Sequence, residues 1–121
     1  MASAPSRIRV VDVNGVMRVD FADSDILDEA AIRQINSELT RAIEAASPPR
    51  VLICFAGVEH LSSAALGTLV TVNSLVKKRG GQLRLSNIKP SIFEVFKITK
   101  LSKLFQFFDT AEQALQGFGR G

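Results

Sequence analysis

The run Val51-Leu52-Ile53-Cys54-Phe55 sets the tightest limit on what this chain can become. Five consecutive apolar residues without alternation suit a strand covered on both faces, as in the middle of a parallel sheet. Ser47-Pro48-Pro49 precedes the run, and a polar turn with its centre at Ser62-Ser63 follows it. From about Ser63 to Arg79, the residues Leu66, Leu69, Val70 and Val76 recur at helical spacing. Gly80-Gly81 then stops the helix, with Gly80 suited to a left-handed cap. Gln82 to Ser86 alternates as a second strand. A buried strand, a helix and another strand in succession imply parallel strands with helices packed against them.

The remaining segments extend this unit. Residues from Ile8 to Val13 and from Val16 to Phe21 read as two strands around Asn14-Gly15, a strong hairpin turn signal. Ala22 to Leu27 reads as a loop in which Asp23 and Asp25 are solvated acids. Asp28 is placed to cap a helix whose buried stripe is Ile32, Ile35, Leu39 and Ile43. Arg33, Glu38 and Arg41 fall on its wet side. Pro90 opens a short helix to Phe96, and Leu104 to Phe107 forms a candidate last strand. Asp109 with Glu112 suggests a cap for a final helix, Thr110 to Gly117, before a frayed tail to Gly121. The expected order is β-β-α-β-α-β-α-β-α: an α/β fold with a mixed sheet, an antiparallel first hairpin and about four helices.

Composition narrows the function classes. The 121 residues suit one domain, 1–121, with a core from about 8 to 118. A hydrophobic content of 46% favours a packed fold over disorder. Cys54 is the single cysteine, sits within the apolar run and is expected to be a small buried hydrophobe. Met1 to Ser6 lacks the apolar stretch of a signal peptide, and no segment reaches the roughly 18 apolar residues of a membrane helix. A cytoplasmic protein with no membrane partner is expected. A net charge of +3 is only weak evidence for a nucleic-acid partner; the basic residues are spread along the chain and Trp and Tyr are absent, so none is expected.

Two adjacent hydroxyls, Ser62 and Ser63, stand where the chain enters a helix. The first backbone N–H groups of a helix lack intrahelical partners, and that end carries partial positive charge. A phosphoryl group on Ser63 would therefore find a favourable setting. The plain reading of Ser63 is a helix N-cap, and of Ser62 a turn or cap residue. His60 lies near Ser63 in sequence, but no acid evidently orients it. The surrounding turn also lacks the Gly-x-Ser-x-Gly elbow of hydrolases. His60 therefore reads as a loop residue, and no catalytic, metal or cofactor site is expected.

The strand, the serine turn, Leu66-Gly67, the Gly80-Gly81 stop, Asn87-Ile88-Lys89-Pro90 and Val95-Phe96-Lys97-Ile98-Thr99-Lys100-Leu101 together resemble the STAS domain of bacterial anti-sigma factor antagonists. The family turn reads Asp-Ser-Ser/Thr-Gly-Leu-Gly, where this chain has Ser62-Ser63-Ala64-Ala65-Leu66-Gly67. The resemblance implies a binding module rather than an enzyme. It implies that Ser63 accepts phosphate from an ATP-dependent serine kinase that is also the anti-sigma factor. A cognate serine phosphatase would reverse the step. The implied docking face comprises Asp28, Ser62, Ser63, Ala64, Leu66 and Gly67. The alternative within the family is a constitutive scaffold, for example a subunit of a lipid-transport ATPase.

Overall fold

The computed structural model describes residues 7–116 and Phe118. The expected fraying from Gly117 to Gly121 falls, Phe118 apart, outside the described residues, as does Met1 to Ser6. Strands β1 (Ile8–Val13) and β2 (Val16–Phe21) form the antiparallel hairpin. Asn14 and Gly15 take φ of 52° and 85° at its turn. Two successive positive φ values define a type I′ turn, whose twist matches that of the flanking strands. Beyond β2, strands β4 (Arg50–Cys54), β6 (Gln82–Ser86) and β7 (Gln106–Phe108) run parallel, giving the order β1-β2-β4-β6-β7. The apolar run is thus the central strand: Val51 to Ile53 are fully buried, with Cys54 at 2% exposure.

Helices α1 (Glu29–Ala45), α2 (Ser63–Lys78) and α3 (Pro90–Ile98) pack into one apolar cluster with Val19, Val51, Ile53 and Leu85. Ile32, Ile35, Leu39 and Ile43 are all buried, as their spacing requires. Leu66, Leu69 and Val76 are buried as expected, whereas Val70 is only partly buried and Val72 joins the core in its place. Glu38 departs from its expected wet position. Its carboxylate accepts the backbone N–H groups of Arg7 and Ile8 at 3.2 and 3.4 Å, tying α1 to the start of β1. The end of α2 closes as a Schellman motif: Gly80 N–H donates to the Lys77 carbonyl and Gly81 N–H to that of Val76. Arg79 at this end donates to the Glu44 and Ala46 carbonyls, satisfying the last turn of α1.

The final elements shift slightly from the sequence reading. The last strand covers Gln106–Phe108, with a 3₁₀ turn at Leu101–Lys103 before it. Helix α4 spans Ala111–Leu115 and is capped by Thr110, not Asp109. It lies on the opposite sheet face, over Val16 and Leu52. Arg84 of β6 holds it there, donating to the Ala114 and Gln116 carbonyls at 2.9 and 2.7 Å with its guanidinium over the Phe108 and Phe118 rings. Buried Cys54 also has neighbours that its sequence surroundings do not show. Arg18 lies 3.8 Å from its sulfur, and the thiol donates to Asn87 Oδ1. The hydrogen bond to Asp20 holds the Arg18 guanidinium above its ordinary pKa.

Candidate functional site

The segment expected to be a loop, Ala22 to Leu27, contains a two-residue strand, β3 (Asp25–Ile26). It pairs in parallel with β5 (His60–Leu61), which lies just before α2. Glu59 and His60 donate backbone N–H bonds to the Ser24 carbonyl, and Ser62 donates to that of Ile26. This small ribbon fixes where two helices begin. Its register sets Asp25 level with His60 and Ile26 level with Leu61. Helix α1 begins at Glu29, three residues after the end of β3, and α2 at Ser63, two residues after the end of β5. The starts of α1 and α2 are therefore side by side at the carboxyl ends of the parallel strands, where open α/β sheets place their ligand sites.

The two caps divide the labour in an unexpected way. Asp28 caps α1, as the sequence implies, its carboxylate accepting the Ala31 N–H at 3.0 Å. In α2 the cap is Ser62, not Ser63: the Ser62 hydroxyl accepts the Ala65 N–H at 3.2 Å. Ser63 is the first residue of the helix proper and is exposed. Its hydroxyl makes no hydrogen bond among the described residues. Ser62→Ala is therefore expected to lower stability by about 1 kcal/mol, a shift of about 3–5 °C in a thermal melt. Ser63→Ala should leave the melt within about 1 °C, because it removes no cap.

Ala64 and Gly67 are also exposed, and a β-carbon at Gly67 would meet no atom within 4 Å. Leu66 turns inward with 2% exposure, so it supports the helix from beneath and offers no surface to a partner. Leu27, not singled out in the sequence, is 53% exposed. A large apolar residue just before a cap commonly folds back onto the first turn, so its type alone gave no hint of exposure. Four acids, Asp25, Asp28, Glu29 and Glu59, lie on the exposed surface here; Arg33 pairs with Glu29 and Lys89 with Glu59. His60 does have an acid partner: its Nδ1 lies 2.8 Å from Asp25 Oδ1 across the ribbon. Asp23 is likewise paired, with Arg7. These contacts are non-local and invisible in a linear reading.

Between α1 and α2, a cleft is lined by Phe21, Ile26, Leu61, Ala65 and Leu69 among others. Its volume is about 10 Å³, at the threshold for one water molecule. It is apolar and offers nothing to orient a substrate or cofactor. Among the described residues, no group of His, Cys, Asp and Glu could hold a metal ion, and no helix is long and apolar enough to cross a membrane. The outward features of this end are thus a free hydroxyl, two helix starts and an acidic rim.

The STAS domain family model matches residues 7–114. This chain belongs to the STAS domain family. Solved structures agree. An anti-sigma-factor antagonist (STAS) domain protein from Planctomyces limnophilus superimposes with a TM-score of 0.81 at 29% identity, covering 89% of this chain and 94% of that one. An anti-sigma factor antagonist from Mycobacterium paratuberculosis gives 0.78 at 24% identity, covering 97% and 98%. The phosphorylated form of the Bacillus cell fate determinant SpoIIAA gives 0.67 at 20% identity, covering 89% and 96%. As a STAS domain, the chain has the mixed sheet and antiparallel first hairpin expected of it. The two-residue ribbon and the division between cap and free serine are the features that sequence reading missed.

Proposed function

We propose that this single STAS domain is an anti-sigma factor antagonist switched by phosphorylation of Ser63. In the unmodified state it docks on an anti-sigma factor that is also a serine kinase, using the face formed by Leu27, Asp28, Ser62, Ser63, Ala64 and Gly67. One observation carries this reading: the Ser63 hydroxyl is exposed at a helix start and is spared from capping because Ser62 does that work. It can be modified without unlatching α2. Phosphorylated and unphosphorylated forms of SpoIIAA have this fold, so the architecture accommodates both states.

In the proposed step, Ser63 Oγ forms a bond to the γ-phosphorus of ATP while the bridging bond to the β-phosphate breaks. ADP leaves, and the hydroxyl proton passes to a base on the kinase. This chain contributes the nucleophilic oxygen alone. A serine phosphatase would restore the hydroxyl by hydrolysis. The new group carries about −1.5 to −2 charges and three acceptor oxygens. The helix start tolerates that charge, whereas a partner surface fitted to the neutral hydroxyl does not.

The test is to incubate the protein with the cognate kinase and ATP and weigh the intact product. One phosphate is expected on the wild type and on Ser62→Ala, and none on Ser63→Ala. Undiminished labelling of Ser63→Ala would exclude that residue. A partner bound equally tightly before and after modification would favour the constitutive scaffold.

A further inference from the structure

A polar residue interrupts the buried stripe of α2. Leu66, Leu69, Asn73 and Val76 follow one another at helical spacing, and Asn73 is only 6% exposed. Its side-chain amide makes no hydrogen bond among the described residues. A buried amide left without a partner is uncommon and costly. Asn73 lines a cleft of about 180 Å³, together with Lys77, Leu83, Arg84, Leu104 and Gln106 among others.

The cleft exists because β7 is short. β6 and β7 pair only from Arg84 with Gln106 onward, so Gln82 and Leu83 run past the start of β7. The hydrogen-bonding phase of β6 follows from its two ends. The Gln82 N–H donates to the Pro49 carbonyl on the β4 side, and the Asn87 N–H to the Phe108 carbonyl on the β7 side. Backbone groups alternate between the two sides along a strand, so the Leu83 N–H points to the β7 side. There the chain is still in the turn that ends at Leu104, and nothing among the described residues accepts that N–H. Leu83 is itself buried, and buried backbone N–H groups are almost always paired. Two unsatisfied donors thus open on one cleft. The Lys77 ammonium is a third, one turn beyond Asn73 on the same helix face. Among the described residues, Lys77 has no ion-pair partner and no acid lines the cleft. Arg84 adds positive charge at the wall, but its guanidinium is committed to Gln106 Oε1 and to the Ala114 and Gln116 carbonyls.

We infer that this cleft binds a small carboxylate with a short apolar body. The Asn73 NH₂, the Leu83 N–H and the Lys77 ammonium supply three donors to one anionic head. One uncommitted cation matches a monoanion better than a phosphate group, which carries about −1.5 to −2 charges. Leu104, 42% exposed, gives the apolar body a surface. The volume exceeds the ~10–15 Å³ that one water needs and falls short of the ~300 Å³ of drug-sized pockets, so the ligand has only a few non-hydrogen atoms. The cleft lies at the amino ends of β6 and β7, against the far half of α2 from Ser63. The inference stands independently of the phosphorylation reading.

Titration of the isotope-labelled full chain with butyrate, followed by amide NMR, tests this. Saturable shifts are expected at the Leu83 N–H and the Asn73 side-chain NH₂, with a dissociation constant on the order of 1 mM. Butyramide, the neutral analogue, and inorganic phosphate should each bind at least about tenfold more weakly. Lys77→Gln keeps an exposed polar side chain and removes the charge, and should weaken butyrate at least about fivefold. Lys78→Gln, next in sequence but outside the cleft, should leave binding unchanged. Asn73→Leu is close in shape, so the fold should persist while butyrate binding is lost. Absence of shifts at both groups up to about 50 mM butyrate would overturn the inference and leave ordered water as the occupant. So would equal losses from Lys77→Gln and Lys78→Gln, retained binding by Asn73→Leu, or butyramide or phosphate binding as tightly as butyrate.

Discussion

On the proposed function, Ser63→Glu, or phosphorylation of Ser63 itself, is expected to weaken the proposed complex with an anti-sigma factor at least about a hundredfold. It should leave the fold almost unchanged. The magnitude follows from ~3 kcal/mol lost at the interface, where every 1.4 kcal/mol is tenfold. Two terms act in the same direction. The modification adds bulk and negative charge at an exposed position of the proposed contact face, and it removes a hydroxyl small enough to be enclosed. Stability responds differently because the added charge sits at the positive end of α2, whose first amides have no intrahelical partner. Titration calorimetry with the purified partner and a thermal melt of the free protein measure the two effects separately. A loss of affinity matched by a fall of many degrees in Tm would mean that the variant fails by unfolding, and the contact model would be wrong.

Gly81→Ala should cost about 3–4 kcal/mol in a urea titration, more than alanine at Gly15, Gly57, Gly67 or Gly80. A β-carbon at Gly81 would collide with the Pro49 carbonyl oxygen and come within 2.7 Å of Pro49 Cγ and 2.9 Å of the carbonyl carbon. That same oxygen accepts the Gln82 N–H at 3.0 Å, so moving it away breaks the first contact between β6 and the segment entering β4. Backbone cannot swing aside as a flexible side chain would. The neighbouring Gly80→Ala tests the contrast. Gly80 has φ of 74° and nothing near its missing β-carbon, so the penalty there is conformational and about 1 kcal/mol. Equal losses at the two positions would show that collision with Pro49 is not the cause.

Much of this architecture is legible in the sequence because it rests on local or periodic signals. Asn14-Gly15 states its turn outright, Val51 to Phe55 states its burial, and the stripe from Ile32 to Ile43 states which face of α1 is covered. The misplaced features rest on competition or on distance. Ser62 and Ser63 are equally good caps by residue type, and Asp109 ranks above Thr110, which is the one that caps α4. Only the path of the backbone decides between neighbours. The ribbon of β3 and β5 has two residues per strand, too few for alternation to register. The Asp25–His60 pair exists because of that ribbon. Glu38 lies off the apolar stripe of its helix, and its role comes from the strand start that reaches it from thirty residues away. At the candidate site, the position of Ser63 at a helix start was legible in the sequence, while its freedom from capping required the fold.

The ribbon that aligns the two helix starts has a wider meaning. The sheet and the far ends of α1 and α2 are secured elsewhere, by the buried central strands and by Arg79. The surface residues at the two starts carry little of that burden. Evolution can therefore rewrite the address label at this end, changing whom the domain meets, while the load-carrying frame is inherited intact.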